Sequence, residues 1–470
     1  MVLKFFDQVD NIMYFPILII VLAAAGIYFT VKTRGIQIRR FPAACRAVME
    51  KPKDGSGVSS FQALMVSTAS RVGTGNIIGV STAIVLGGPG AVFWMWLLAV
   101  LGSATAFVES TLAQIYKRRD EHTGGCYGGP AYYIESALHS KGLAALFTVF
   151  LLLTYGFGFN LLCSYNLQST FAVYHFYNKA TTPIIIGAVL AVLVAFCIMG
   201  GGKRIVHITE VMVPFMGVLY IAVSIIVIVM NITSLPHVFA MIFSDAFSAR
   251  SFAGGIGGSC MVYGIKRGLY SNEAGVGSAP NAAASAEVSH PVKQGFVQVL
   301  SVFIDTMLIC TATAFMCLFT GTERIASQAG APYVQECLRS VFGKFGPSFI
   351  TIAMIMFAFT TLIGNLYYCD NAVAYLNGKK KPGRTFMNVF HLVCAAIVFI
   401  GAVIPMNLAW DLADIAMGLM AMINIPCCII LGRRAIDAAE DYDRQLKEGK
   451  DPVFHAGRIG MHPDELDYWK

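Results

Sequence analysis

SSFQALMVSTASRVGTGNIIGVSTAIVLGG, residues 59–88, decides the fold. The run is apolar and exceeds the roughly 20 residues that a helix needs to cross a bilayer. Yet Gly73, Thr74, Gly75 and Asn76 fall at its middle, beside the ionisable Arg71. A second run, GGIGGSCMVYGIKRGLYSNEAGVGS at 254–278, repeats the pattern, with Lys266, Arg267, Asn272 and Glu273 in its second half. Within lipid, an unwound backbone leaves amides and carbonyls unpaired at several kcal/mol each, unless protein or an aqueous cavity satisfies them. Breaks of this kind therefore mark functional segments. The alternative is that the glycines only let helices approach closely, as small residues do in membranes.

Composition agrees with a membrane chain. Of 470 residues, 56% are hydrophobic and only 13% are charged, about half the charge of a soluble domain. Disorder, coiled coil and an ordinary cytosolic enzyme are poor readings. The net charge of +7 does not argue for nucleic acid, because the basic residues sit in short loops and form no continuous stripe. The twelve cysteines show no zinc spacing and no disulfide framework, and most lie in apolar runs as small core residues.

Spans are expected near 13–31, 60–86, 90–115, 144–174, 183–199, 205–230, 252–278, 295–319, 347–376, 386–404 and 408–431. The first is not a signal peptide, since its basic residues follow the apolar run. The loops at 32–57, 117–141, 203–204, 293, 379–384 and the tail hold most of the 34 Lys+Arg. Positive loops stay inside, so the chain is expected in the cell (inner) membrane, with its N-terminus outside and its C-terminus cytoplasmic.

The fold class is thus all-α and polytopic, with about eleven transmembrane helices. Four unbroken spans separate the two broken ones, and four follow the second. With 1–57 as an extra N-terminal helix and basic loop, the rest divides into five-helix halves at 58–230 and 231–432, each opening with its broken helix, followed by a tail at 433–470. That spacing is what an inverted repeat requires. Half-helix N-termini receive anionic groups and freed carbonyls receive cations. A zwitterionic amino acid with Na+ uses both.

Four motifs in order, VGTGNIIGVSTAI at 72–84, GGPGAVFWMWLLAVLG at 87–102, GGPAYYI at 128–134 and KRGLYSNEAGVGSAP at 266–280, resemble the alanine or glycine:cation symporter family, and HPVKQGFVQVLSVFIDT at 290–306 extends the likeness. The resemblance covers about 35–430 and implies the fold of the amino acid, polyamine and organocation superfamily. It implies Na+-driven uptake of a small neutral amino acid such as alanine or glycine. It places the substrate carboxylate on the amides of Thr74, Gly75 and Asn76, with Cys163, Tyr270, Ser271, Asn272 and Asn365 completing the pocket. Sodium falls to the Asn76 amide oxygen and, at a second position, to carbonyls of Ala69 and Val72 with hydroxyls of Thr360 and Thr361.

The chain departs from the family pattern at Cys163, where a glutamine is usual, and at Asn365, where a tryptophan is usual. A lost indole enlarges the pocket, which extends the expected substrates to glutamine, serine or asparagine unless Tyr367 or Tyr368 refills the space. Glu273 is expected to pair with a basic residue, and Arg71, Lys266 and Arg267 to form a gate or anchoring network on the cytoplasmic side. Glu109, Asp305, Asp370, Asp411 and Asp414 are weaker candidates for proton relays, most of them placed near span ends within reach of water. The alternatives are an H+-coupled carrier, a passive channel and a membrane-embedded enzyme. The last is disfavoured because no HExxH, GxSxG or Walker-type motif occurs. Residues 321–346 are expected to hold an amphipathic helix over the vestibule, and the tail a short solvated helix before an irregular end.

Overall fold

The computed structural model describes residues 8–50, 52, 57–119, 125–248, 260–404 and 406–469. Among these, eight helices are long and apolar enough to cross a membrane: α1 (Gln8–Lys32), α5 (Ala91–Ile115), α7 (Lys141–Val173), α9 (Gly202–Met230), α13 (Pro291–Leu318), α15 (Phe345–Leu376), α16 (Arg384–Val403) and, from Trp410, α17 (Met406–Lys447). Between them lie α2 (Phe41–Val48), α3 (Ser60–Arg71), α4 (Gly75–Gly87), α6 (Pro130–Leu138), α8 (Thr182–Ile198), α10 (Leu235–Ala246), α11 (Cys260–Asn272), α12 (Pro280–Ser285) and α14 (Ala331–Phe342). The expected start of the seventh span, 252–259, lies outside the described residues.

The polarity of the molecule is inverted relative to a soluble protein. Val189, Val192 and Phe196 of α8 and Phe215, Val218 and Ile225 of α9 face outward, while Asn76, Asn160, Glu109 and Asp305 are fully buried. Lipid accepts the first set at no cost, and the second must find partners inside.

Both expected breaks are present. A capping box of Ser59 and Gln62 opens α3, and the helix stops at Arg71, where Val72 turns to φ −75, ψ 87. The chain resumes as α4 three residues later. The second broken helix ends at Asn272. Glu273, Gly275 and Gly277 then take φ of 53, 86 and 92, a left-handed path that the two glycines adopt without strain, before α12 begins. Other glycines of the same segment are packing residues: a Cβ at Gly264 would lie 2.8 Å from Trp94 Cβ, and one at Gly268 would lie 3.4 Å from Met95 Cα. The close-approach reading thus holds for the helical part of α11, and the functional reading for its end.

Three further points were not visible in the sequence. Extra-residue π turns widen α7 at Leu152–Gly158 and α13 at Phe303–Cys310. The last span does not stop at 432; α17 continues unbroken to Lys447, so the boundary expected at 433 falls inside a helix. The end beyond it is docked rather than solvated: Phe454 and Leu466 are buried, Trp469 Nε1 donates to Gln114 O (2.7 Å), and Phe454 N donates to Ser289 O (3.0 Å). The expected helix within 321–346 is α14, tied to α4 by Ser81 Oγ donating to Gly330 O (2.8 Å).

Candidate functional site

The two breaks meet in the interior, with Asn76 and Asn272 both fully buried. The Gly73 amide donates to Asn76 Oδ1 (2.8 Å), which ties the unwound segment to the restart of α4, and no side chain caps that restart among the described residues, so its first N–H groups face the gap. Gly75 lies against Tyr270, where a Cβ would come 2.5 Å from ring carbon Cε1. Thr74 Oγ1 accepts from Asn166 Nδ2 (3.1 Å). Cys163, one turn earlier on α7, is buried with Sγ 3.4 Å from Ala358 O. Thr74, Gly75, Asn76 and Tyr270 therefore lie together, with Cys163 one turn from Asn166 on α7.

Above them stands an aromatic stack. Tyr270 packs on Phe159 (4.8 Å between centroids) and on Trp410 (5.0 Å), and the Arg267 guanidinium lies 3.8 Å from the Trp410 ring. Beneath and beside them is an oxygen cluster around Asp305, in the π turn of α13. Its Oδ1 accepts from Asn76 Nδ2 (2.7 Å). Its Oδ2 accepts from Ser271 Oγ (2.8 Å) and Thr306 Oγ1 (2.9 Å), and Asn272 Nδ2 donates to Thr306 Oγ1 (3.3 Å). Asn76, Ser271 and Asn272 thus converge on a carboxylate that the sequence reading left among the proton-relay candidates near span ends. Asp305 is fully buried, which corrects that placement, as it does for Glu109 and Asp414.

The second expected ion position is half assembled. Thr361 Oγ1 donates to Ala69 O (3.1 Å) and faces Gly73, next to the unwound Val72. Thr360 points elsewhere: its hydroxyl donates to its own helix at Met356 O (2.9 Å) and lies 3.5 Å from Met216 Sδ. One residue along a helix is a rotation of about 100°, so adjacent threonines cannot share a target easily. Asn365 also differs from a vacated wall. It accepts from Ser70 Oγ (2.7 Å) and donates to Asn160 Oδ1 (3.1 Å), and Tyr368 packs on Tyr155 (5.5 Å).

The charged residues separate into two groups, correcting the single network expected on the tail side. Lys266 and Arg267 lie toward the face that carries the N-terminus. Lys266 pairs with Asp10 of α1 and with Asp414 of α17 (3.0 Å), and Arg267 pairs with Asp414 (3.2 Å). Arg71 lies on the other side of the break, where Nη1 donates to Gln298 Oε1 (2.9 Å) and Nε and Nη2 make no hydrogen bond. Glu273 is held by hydroxyls of Ser278 (2.6 Å) and Ser70 (3.4 Å), with Arg71 as the basic residue whose charge acts on it, beyond direct ion-pair distance. Glu109 accepts from Asn424 Nδ2 (2.7 Å) and Gly275 N (3.3 Å).

Asp305 as an oxygen donor, and Asn166 and Trp410 as pocket and lid, were missed as site residues. A carboxylate inside the apolar run VLSVFIDTMLIC was the available signal for Asp305. Asn166 and Trp410 carry no such signal, because an amide or indole in a span is ordinary.

The model of the sodium:alanine symporter family matches residues 1–456. The "probable sodium/glutamine symporter GlnT" of Bacillus subtilis is 42% identical over 98% of this chain and 94% of its own. The "sodium/proton-dependent alanine carrier protein" of Bacillus sp. strain PS3 is 41% identical over 86% of this chain and 93% of its own. Among solved structures, MhsT in complex with L-phenylalanine has a TM-score of 0.59 at 17% identity, covering 83% of this chain and 93% of that one; at that identity the likeness is one of fold. On the family model and these relatives, the chain belongs to the sodium:alanine symporter family.

Proposed function

We propose that the chain is a Na+-coupled symporter taking up a small or medium neutral amino acid, from alanine and glycine to serine and glutamine. The observation that carries the reading is the meeting of α4's uncapped N-terminus with the Asp305 oxygen cluster across the two breaks. The substrate carboxylate sits on the first-turn amides of Thr74 and Gly75, the Asn76 amide being taken by Gly73 O (3.2 Å). The buried, unpartnered Oδ1 of Asn166 accepts from the substrate on the facing side. One Na+ takes the Asp305 carboxylate with the Ser271 and Thr306 hydroxyls, a hard-oxygen set, while the Asn76 amide oxygen expected there is held by the Gly73 amide. A second takes Ala69 and Val72 carbonyls with Thr361. The Tyr270–Trp410 stack and the Arg267–Asp414 pair close the site toward the N-terminal face, which we assign to the outside. The segments 58–230 and 231–432 are read as the two inverted halves.

The energetics suffice. One Na+ crossing 100 mV releases about 2.3 kcal/mol, and a tenfold ion gradient adds about 1.4, enough for accumulation of several hundredfold. Purified protein in liposomes tests the reading with labelled alanine and competing glycine, serine and glutamine. Accumulation beyond equilibrium is expected with inward Na+ and none with choline. Uptake driven by a pH gradient without Na+ would establish the proton-coupled alternative, and flux that never exceeds equilibrium a passive channel.

A further inference from the structure

Two clefts of about 270 Å³ each open on the outer wall of the molecule, and both lie along helix α7. The first is at the tail face, where Arg118, Lys141, Lys379 and His139 line it around a single acid, Glu135. That acid is already engaged by Lys379 Nζ (2.9 Å) and Tyr375 Oη (2.8 Å). Arg118 reaches Asp467 only at 3.8 Å, and Lys141 forms no ion pair among the described residues. Lys380, Lys381 and Arg384 follow in the adjoining turn. The cleft thus carries positive charge in excess of its own partners.

The second cleft is a groove between α7 and α16, with Val149, Leu152, Phe157, Phe390 and Val393 on its walls and almost no polar surface. It lies further along α7 from the first, whose one residue on that helix is Lys141. Lys141 opens α7, and Val149, Leu152 and Gly156 carry on the same stripe at helical spacing. At 1.5 Å per residue, Val149 lies about 12 Å deeper than Lys141, close to the hydrocarbon depth of one leaflet, half of roughly 30 Å. A basic mouth thus stands at membrane-surface level with an apolar channel running inward from it.

We propose that this seam binds one anionic phospholipid, its phosphate held by Arg118 and Lys141 and an acyl chain laid in the groove against Leu152, Phe390 and Val393. Charge selects the headgroup, because a choline would set a quaternary cation against the same basic residues, and basic pockets at span ends are where acidic headgroups dock. The groove selects lipid over a free anion, which would fill the mouth and leave the apolar walls empty. The lipid would sit behind the π turn Leu152–Gly158, whose inner residue Tyr155, with Phe159 one residue beyond it, packs on Tyr368 and Tyr270 (5.5 and 4.8 Å). The bound chain therefore backs the wall of the transport site.

The test is native mass spectrometry of the delipidated full chain titrated with phosphatidylglycerol, or with phosphatidylcholine of identical chains, with inorganic phosphate as competitor. One retained phosphatidylglycerol is expected, bound at least about tenfold tighter than phosphatidylcholine. The exposed-site variant Arg118→Gln/Lys141→Gln should lose about fivefold per charge removed, and Val393→Trp, which plugs the groove without touching charge, should lose binding of both lipids. Equal retention of the two lipids, unchanged retention in either variant, or displacement of the lipid by millimolar phosphate would each overturn the proposal.

Discussion

Asp305 holds three donors at 2.7–2.9 Å in a fully buried position, and a cation can take the place of those hydrogens at its oxygens. Replacing it by asparagine keeps the shape and removes the charge. The Na+ concentration for half-maximal uptake should rise by at least about tenfold, equivalent to about 1.4 kcal/mol, while the order of preference among amino acids stays fixed; ion-titrated uptake checks this. Thr361 and Thr360 supply an internal control. Thr361→Val removes the hydroxyl beside Ala69 O and should depress Na+ affinity about tenfold, whereas Thr360→Val deletes a bond to its own helix and a weak one to Met216 Sδ and should change uptake less than about twofold. Equal effects in the two variants would refute the ion position. The sequence named both threonines because a motif fixes which residues are near a site but not which side of the helix meets it. That phase comes from packing of α15 against α3, and the same holds for Asn365, which reads as a missing wall but serves as a link between Ser70 and Asn160.

At the level of elements, the breaks were legible because they violate a strong rule: polar and glycine residues inside an apolar run are costly unless the backbone is used. Their neighbours were not, since a π turn changes one hydrogen bond and leaves no compositional trace, and a helix that passes from membrane to water, as α17 does, shows a change in hydropathy where no structural boundary exists. Pairing between elements was equally hidden. Lys266 and Arg267 of α11 lie near Asp10 of α1 and Asp414 of α17, residues separated by hundreds of positions, and this joins the extra N-terminal helix to the lid over Tyr270. Removing one partner of a buried ion pair leaves an uncompensated charge, at about 3–5 kcal/mol. Asp414→Asn should therefore lower the thermal midpoint in detergent by several degrees. The double variant Asp414→Asn/Arg267→Gln should recover part of that loss, giving a positive coupling energy in the cycle; strictly additive losses would show that the pair is not a unit.

For the molecule as a whole, the asymmetry between its two faces matters most. The tail folds back beneath α5, where Lys117 is buried with Nζ 4.0 Å from the Tyr468 ring and 2.8 Å from Ala286 O. Burial pulls its ammonium from 10.5 down to about 8. Between those values the unfolded chain holds a proton that the folded one has released, so stability rises with pH across that window; the thermal midpoint should climb from pH 8 to pH 10, and Lys117→Met should flatten the climb. The same face carries the basic loops, from Arg39 and Arg40 paired with Asp443 (2.7 and 2.6 Å) to Lys293 paired with Glu50 (3.0 Å). If positive loops remain on the cytoplasmic side, this face, with α2 upon it, is inside. Cys45 of α2 reports that directly, being exposed while the other eleven cysteines are buried. A membrane-impermeant maleimide should leave intact cells unlabelled and modify inverted membrane vesicles at one site per chain, with Cys45→Ser abolishing the signal. Labelling of intact cells at Cys45 would reverse the orientation and turn the Tyr270–Trp410 lid toward the cytoplasm. The direction in which the sodium gradient acts on the gate would then be the opposite of that proposed.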